Sequence, residues 1–345
     1  MSLRHVMLVS EAATTCGVEE FARQSARHLG VRGATVPLGR PVGDADDVVL
    51  NLPITAWKKR LVAPIIAAAR ARLARRDVTI VLHEWADLKL ARRISYLPLL
   101  PLATRLMFSA PEVQAQFEAT PLSRIVTRRR CVLPIPPNFT VPDTTEPSAI
   151  ADALAAARAG GGFILAQFGS IYPKKDPLVL LEIGAELLRR GVDTRIVFIG
   201  SFIKDMGNVE ADFFAEADRL GLAGRVEVTG YVKSAAELYG IFAEVDAFLY
   251  PLSEGLTSRR ASVQAAALSG KPVVVSAPAR ADSLTHHRLM NALIASGALQ
   301  FVPRGANAAA FADAVLATRG LPIRPLVASR EIDAAWDDLT AALDA

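Results

Sequence analysis

The sequence predicts an α/β protein made of two doubly wound domains that face each other across a cleft. Three observations carry this. Short apolar segments alternate with amphipathic ones at the spacing of strands and crossover helices. The alternation runs through residues 1–145, gives way to an Ala- and Gly-rich stretch, and restarts at Phe163. A chain of 345 residues suits two domains better than one.

The elements follow in order. "HVMLVS" (5–10) is apolar nearly throughout, as a strand buried on both faces must be. "GVEEFARQSARHLG" (17–30) places Val18, Phe21, Ala22, Ala26 and Leu29 on one helical face, with Gly30 or Gly33 to end it. "DDVVLNL" (46–52) and "VTIVLHE" (78–84) are further strands, with a helix between them, and "RLMFSA" and "CVLPIP" are two more. The apolar run 96–108 is broken by two prolines and Arg105 and reads as a core segment or an exposed membrane-seeking loop, with core favoured. Residues 146–162 are expected to link the domains, and the Ala- and Gly-rich stretch 148–162 reads as linker plus a short helix.

The second domain, 163–325, reads as strands at 163–170, 194–201, 225–232, 247–252 and 272–276. Helices at 177–191, about 209–220, about 235–243 and 258–269 separate them. In the tail 326–345, Ile332, Trp336, Leu339 and Leu343 share one side of a last helix.

Composition sets limits. Half of the residues are hydrophobic and a net charge of +4 is small for this length, so a nucleic-acid partner is not indicated. Basic residues do cluster, in "WKKR" (57–60), "RARLARR" (70–76) and "RIVTRRR" (124–130). Such runs are either solvated faces or a surface turned toward anionic lipid or an anionic acceptor. Two cysteines, Cys16 and Cys131, argue against a disulfide framework and for a reducing, cytoplasmic setting. No signal peptide and no uncharged apolar run of membrane-spanning length is visible.

The chemistry is expected in loops that follow strands, because ligands of such sheets sit at the carboxyl ends of strands. The first loop ends at Gly17, where a helix N-terminus could meet a ligand. His83 follows the strand 78–82 and either contacts a ligand or is a hydrogen-bonded structural residue. The segment Gly169-Ser170-Ile171-Tyr172-Pro173-Lys174-Lys175 opens a helix with a lysine pair suited to a diphosphate. "PLSEGLTSRRASVQAAALSGKPVVVS" (251–276) sets Glu254, Thr257, Ser258, Arg259 and Arg260 at a helix start. Arginines there repel the helix dipole unless an anion meets them. One of the two is expected to contact the ligand, with Thr257 and Ser258 as caps or phosphate donors and Glu254 as an acceptor for sugar hydroxyls.

These loops, in this order, resemble the GT-B glycosyltransferases, in particular the retaining family 4 enzymes (glycosyltransferase group 1). The most specific part is "FGSIYPKKDPLVLLEIGAELLRRG", "IVFIGS", "LGLAGRVEVTGYV", "AELYGIFAEVDAFLYPLSEG" and "LSGKPVVVS". The resemblance implies two Rossmann-like domains and transfer of a sugar, with retained configuration, from a nucleotide diphosphate sugar to a hydroxyl. It implies no metal and no cofactor. It also implies His83 at the sugar, Lys175 and an arginine at the leaving phosphate, Tyr231 and Val232 at the base, and a final helix crossing back onto the N-terminal domain. A saccharide or lipid-linked acceptor follows from the family's common role in polysaccharide and glycolipid synthesis.

Two departures stand out. Ser170 occupies a position where the family commonly has Arg. Ser262, eight positions after Glu254, stands where a second Glu is usual. The chain resembles a variant subgroup with the arrangement E-G-x-T-S-R-R. Other readings of the same residues are a catalytically silent scaffold, a two-domain sugar- or anion-binding protein, and a nucleotide-sugar epimerase.

Overall fold

The computed structural model describes residues 2–11, 16–57, 60, 62–203 and 208–345, apart from the Lys174 side chain. The chain divides into two compact units, residues 1–138 with 333–345, and residues 139–332.

Unit 1 is built on β1 (His5–Val9), α1 (Gly17–His28), β2 (Gly33–Pro37), β3 (Asp47–Leu52), α2 (Val62–Leu73), β4 (Asp77–Leu82), α3 (Leu90–Ser95), β5 (Arg105–Phe108), α4 (Pro111–Glu118) and β6 (Arg130–Val132). Its six strands are parallel, in the order β2-β1-β3-β4-β5-β6. The fully buried strands β1 and β3 are mostly apolar because helices cover both faces, with His5, Asp47 and Asn51 as buried polar exceptions. The 96–108 segment is core: Tyr96, Leu99, Leu100 and Leu106 to Phe108 are all buried.

Unit 2 comprises α5 (Ala149–Ala159), β7 (Phe163–Phe168), α6 (Pro177–Arg189), β8 (Thr194–Ile199), α7 (Val209–Arg219), β9 (Val226–Val228), α8 (Ala235–Ala243), β10 (Ala247–Tyr250), α9 (Ala261–Leu268), β11 (Val273–Ser276), α10 (Arg288–Ala295), β12 (Leu299–Val302) and α11 (Ala308–Ala317). The sheet is again six parallel strands, β12-β11-β10-β7-β8-β9. Leu180, Leu181, Ile183 and Leu187 of α6 are buried against it, each burial stabilising the unit by roughly 1.5–3 kcal/mol.

The last helix, α12 (Ala328–Asp344), buries Ile332, Trp336, Leu339 and Leu343. Trp336 stacks on Phe21 and lies against His28, both on α1. Asp344 near its end accepts from Arg4 and Arg32 and meets Nε2 of the buried His5 at 3.2 Å.

Several expectations need correcting. The short helix expected in 148–162 is α5, which is capped by Ser148 and belongs to unit 2. β2 and β12 were not anticipated. Both are edge strands, and β2 is short, partly exposed and bounded by Gly33 and Pro37, which gives a weak pattern. The helix expected at 258 starts at Ala261, leaving Thr257 to Arg260 in the approach to it.

Topology marks the candidate ligand edges without reference to any residue type. In unit 2 the chain runs β7 to β8 to β9 in one direction and then returns to place β10 on the other side of β7. The sheet therefore reverses between β7 and β10, where a doubly wound sheet opens a crevice at its carboxyl edge. In unit 1 the reversal falls between β1 and β3.

Candidate active site

The loops leaving β7 and β10 are the two that flank the reversal in unit 2. Gly169 ends β7 with φ +114°, a conformation closed to other residues. A Cβ there would lie 2.5 Å from Lys175 Nζ and 3.4 Å from Ser262 Cβ. The missing side chain is thus the space in which the lysine head sits. Pro173–Lys175 form one tight turn, and Asp176 leaves it in the left-handed region (φ 50°, ψ 49°). The Asp176 carboxylate accepts the backbone N–H of Ser253 at 2.8 Å, tying the β7 loop to the β10 loop.

Tyr250, at the end of β10, fixes the same junction from below. It is buried, its oxygen accepts the Phe168 N–H at 3.2 Å, and its O–H donates to the Ser262 carbonyl at 3.0 Å. Burial raises its pKa well above the usual phenol value, so it stays a donor. Gly255, with φ +79°, lets the β10 loop press on the exit of β11, where a Cβ would meet the Ala277 carbonyl at 2.4 Å.

Lys175 is the electrostatic centre of this arrangement. It is only 8% exposed. Its Nζ lies 5.6 Å from the centre of the Tyr172 ring. Burial, and then the Arg260 charge, push its pKa down to about 8. Among the described residues no carboxylate pairs with it. Arg260, at the N-cap of α9, has Glu254 at 3.7 Å, and the Glu254 side chain is half exposed. Two cations therefore converge on one glycine loop; of the acids beside it, Asp176 is engaged with the Ser253 N–H and Glu254 is partly solvated. A buried ammonium is costly unless an anion is close, and the site as it stands is short of one.

The remaining predicted residues divide. Ser170 is exposed on the β7 loop and Arg259 is half-buried beside Arg260. Thr257 is buried with its hydroxyl unpartnered among the described residues. Neither Thr257 nor Ser258 caps α9, against expectation, because the helix begins later and its N-cap, Arg260, makes no side-chain cap. Ser258 is fully buried, with Oγ 3.2 Å from His286 Nε2, and its carbonyl accepts Gln264 Nε2 at 2.8 Å. Its hydroxyl is turned into the unit. Burial, with the neighbouring His287, lowers the His286 pKa to about 4, so that imidazole is neutral at pH 7. Tyr231 is exposed and Val232 half-buried, in the loop after β9, which β8 separates from β7. Sequence reasoning missed Asp176, Tyr250 and His286. A signal existed only for Tyr250, a hydroxyl at the end of an apolar strand.

In unit 1, His83 follows β4 and is buried. Its Nε2 is 3.0 Å from Asn51 Oδ1, and its ring stands edge-on to Phe21 at 5.1 Å. Gly17 opens α1, and a Cβ there would meet nothing within 4 Å, so its lack of a side chain is not a packing demand. Thr55 donates to Cys16 Sγ at 3.5 Å, which joins the loops after β1 and β3 across the reversal. The middle of the first loop (12–15), Lys58, Lys59 and the Lys174 side chain lie outside the described residues. Both cysteines are free. Among the described residues no three His, Cys, Asp or Glu side chains gather as a metal site would, and no helix is long and apolar enough to cross a membrane.

The arrangement is that of a GT-B protein: two parallel six-stranded sheets with alternating helices, matching the two Rossmann-like domains of GT-B glycosyltransferases. The family model described as "Glycosyl transferases group 1" matches residues 162–318. The UDP complex of HepE (Alr3699) from Anabaena has the same fold, with a TM-score of 0.67 at 14% identity over 99% of this chain and 94% of that one. Sucrose-phosphate synthase from Thermosynechococcus elongatus gives a TM-score of 0.62 at 14% identity, over 99% and 94% of the two chains. WaaG, a glycosyltransferase involved in lipopolysaccharide biosynthesis, gives 0.55 at 14% identity over 99% and 95%. No curated protein sequence matches the chain.

Proposed function

We propose that this chain is a retaining, metal-independent glycosyltransferase that moves a sugar from a nucleotide diphosphate sugar to a hydroxyl of a saccharide or lipid-linked acceptor. The observation that carries the reading is Lys175: a buried ammonium, set against Gly169, close to the Arg260 charge and, among the described residues, without a carboxylate partner. A diphosphate is the ligand whose charge and size suit two cations at the mouth of a glycine loop. The match of residues 162–318 to glycosyl transferases group 1 supports it.

In this reading Lys175 and Arg260 or Arg259 neutralise the charge that grows on the leaving diphosphate. Such preorganised donors are worth most where charge appears only in the transition state. Glu254 offers its exposed carboxylate to sugar hydroxyls and holds Arg260 in place. Thr257 supplies its unpartnered hydroxyl to the donor. Ser258 acts through position, bracing the loop on His286. His83 contacts the sugar, and Tyr231 and Val232 meet the base. The acceptor hydroxyl is deprotonated by the departing phosphate on the same face. Polysaccharide or glycolipid synthesis on the cytoplasmic side of a membrane is the setting that fits a lipid-linked or oligosaccharide acceptor.

The test is thermal unfolding with UDP, GDP, ADP, CMP and dTDP, without added metal. UDP is the first choice because HepE was solved with UDP and with UDP-glucose. A nucleotide at ~100 times its dissociation constant stabilises the folded state by about 2.7 kcal/mol. One nucleotide should shift the transition, and Lys175→Ala and Arg260→Ala should abolish the shift. A folded protein that responds to none of them would sink the donor assignment and favour a silent scaffold.

A further inference from the structure

Nothing in the His83 side chain fixes its own aim. Rotation about the last side-chain bond of a histidine or a phenylalanine is broad, so the plane of the ring is set by its neighbours. The His83 backbone is held, since its N–H donates to the Leu52 carbonyl at 2.8 Å and its carbonyl accepts the Ser109 hydroxyl at 3.0 Å. Its ring has one polar and one apolar neighbour. The polar one is Asn51, fully buried on β3, whose Oδ1 accepts from Nε2 at 3.0 Å. An amide oxygen only accepts, so the proton sits on Nε2. The Asn51 amide nitrogen is buried without a partner among the described residues. A half-satisfied buried amide costs stability, and the hydrogen bond that Asn51 does make goes to His83.

The apolar neighbour is Phe21 of α1, which stands edge-on to the imidazole at 5.1 Å, with 72° between the planes. Phe21 is buried and has no polar group to orient it. Trp336 of α12 lies along its face, at 22° and 6.3 Å between centroids. Trp336 is buried too, and rests against His28 at 4.1 Å. Phe21 and His28 are about two turns apart on one face of α1, so the indole bridges them. The end of the same helix is tied down by Asp344, which meets His5, Arg4 and Arg32. Plain packing does not require a ring here. Leu339 and Leu343 show that aliphatic residues bury well on this side of α12, and an aliphatic residue at 336 would present no plane to Phe21.

We propose that Trp336 is a positioning residue for His83, acting through Phe21. The indole sets the plane of Phe21, and the edge of Phe21 holds the imidazole against Asn51. The last helix therefore sets the aim of a histidine on the β4 loop that it does not itself carry. The effect on the reaction rests on the assignment of His83 to the sugar, whereas the effect on the ring does not. Turnover should depend on Trp336 and nucleotide binding should not, because the loops assigned to the nucleotide belong to unit 2.

The experiment uses the full chain and two readouts. One is the histidine ring signals of the free protein in proton–nitrogen NMR. The chain has five histidines, and His83 is assigned by its loss in His83→Gln. The other is release of UDP from UDP-glucose in water, followed across donor concentration. Trp336→Leu keeps an apolar side chain and removes the plane. It should move the His83 signals and lower kcat roughly ten- to a hundredfold, with the KM for UDP-glucose and the UDP thermal shift unchanged. Trp336→Phe restores a ring and should stay within about threefold of wild type. Phe21→Leu should act like Trp336→Leu, and the two together should lose no more than the worse one, because the contacts act in series. Leu339→Ala, on the same side of α12, should lower the melting temperature yet leave the His83 signals and kcat near wild type below its transition. Unmoved His83 signals in Trp336→Leu would overturn the proposal. So would unchanged turnover in that variant, additive losses in the double variant, or an equal loss of turnover in Leu339→Ala. Wild-type protein that releases no UDP would count against the donor reading alone, and the His83 signals would then decide the positioning.

Discussion

Replacing Lys175 by Met should make the free protein more stable and stop it binding nucleotide. The side chain is 8% exposed, and its pKa falls from the ordinary 10.5 to about 8 because burial and Arg260 both disfavour the charge. A fall of that size corresponds to roughly 3 kcal/mol held against folding at pH 7. Methionine keeps most of the aliphatic stem and removes the charge, so most of that stabilisation should be recovered. For a unit of this size the melting temperature should rise by about 6–10 °C. The pH dependence gives an independent check. Between pH 8 and 10.5 the unfolded chain holds a proton on Lys175 that the native state has lost, so wild-type stability should rise with pH across that window. In Lys175→Met the rise should flatten. Calorimetry from pH 7 to 10, with and without UDP, reads both effects. A variant that melts lower than wild type at pH 7, keeps the alkaline rise, or still responds to UDP would refute the idea that Lys175 is an ammonium waiting for an anion.

Three further substitutions test the scaffold. Gly169→Ala forces a φ of +114° on a residue with a Cβ and pushes that Cβ against Lys175 Nζ, so it should cost about 1–3 kcal/mol and abolish the UDP shift in a melting assay. Asp176→Ala removes the acceptor for the Ser253 N–H and leaves a non-glycine residue in the left-handed region, and should destabilise by about 1–3 kcal/mol. Asp176→Asn, which tolerates that backbone and keeps an oxygen, should stay near wild type in denaturant titration. Asp344→Ala strips the partner from His5, Arg4 and Arg32, and should cost about 1–3 kcal/mol and hasten proteolysis of residues 328–345. Although burial opposes it, bonding to His5 and Arg32 holds the Asp344 pKa below its ordinary value. The carboxylate therefore stabilises the protein above pH 4, an effect lost on further acidification and missing from the variant.

The parts of the site that sequence could show are those written in residue type and local order. Gly169, Lys175, Glu254 and Arg260 each stand in a loop that leaves an apolar strand, and a cation or glycine there has few structural reasons to exist. The ties that assemble them are not local. The Asp176 bond to Ser253 joins positions far apart in the chain, and an aspartate before a proline reads as an ordinary helix start. Ser258 looks like a phosphate donor in a Thr-Ser-Arg-Arg string, yet its direction is set by His286 across the loop. In the fold, the central strands were legible because burial on both faces leaves them mostly apolar. The edge strands β2 and β12, wetted on one side, carry no such mark.

Unit 1 is assembled from residues 1–138 and 333–345, with all of unit 2 between them. A ribosome delivers the β1–β6 sheet before unit 2, while the helix that covers Phe21 and His28 with Trp336, and brings Asp344 to His5, follows only after unit 2. Unit 1 is begun before unit 2 and finished after it. Until translation reaches Asp344, the growing chain carries a complete unit 2 beside an open unit 1, with a bare patch of α1 and a buried histidine lacking one partner. Such an exposed intermediate is where a chaperone would find its hold.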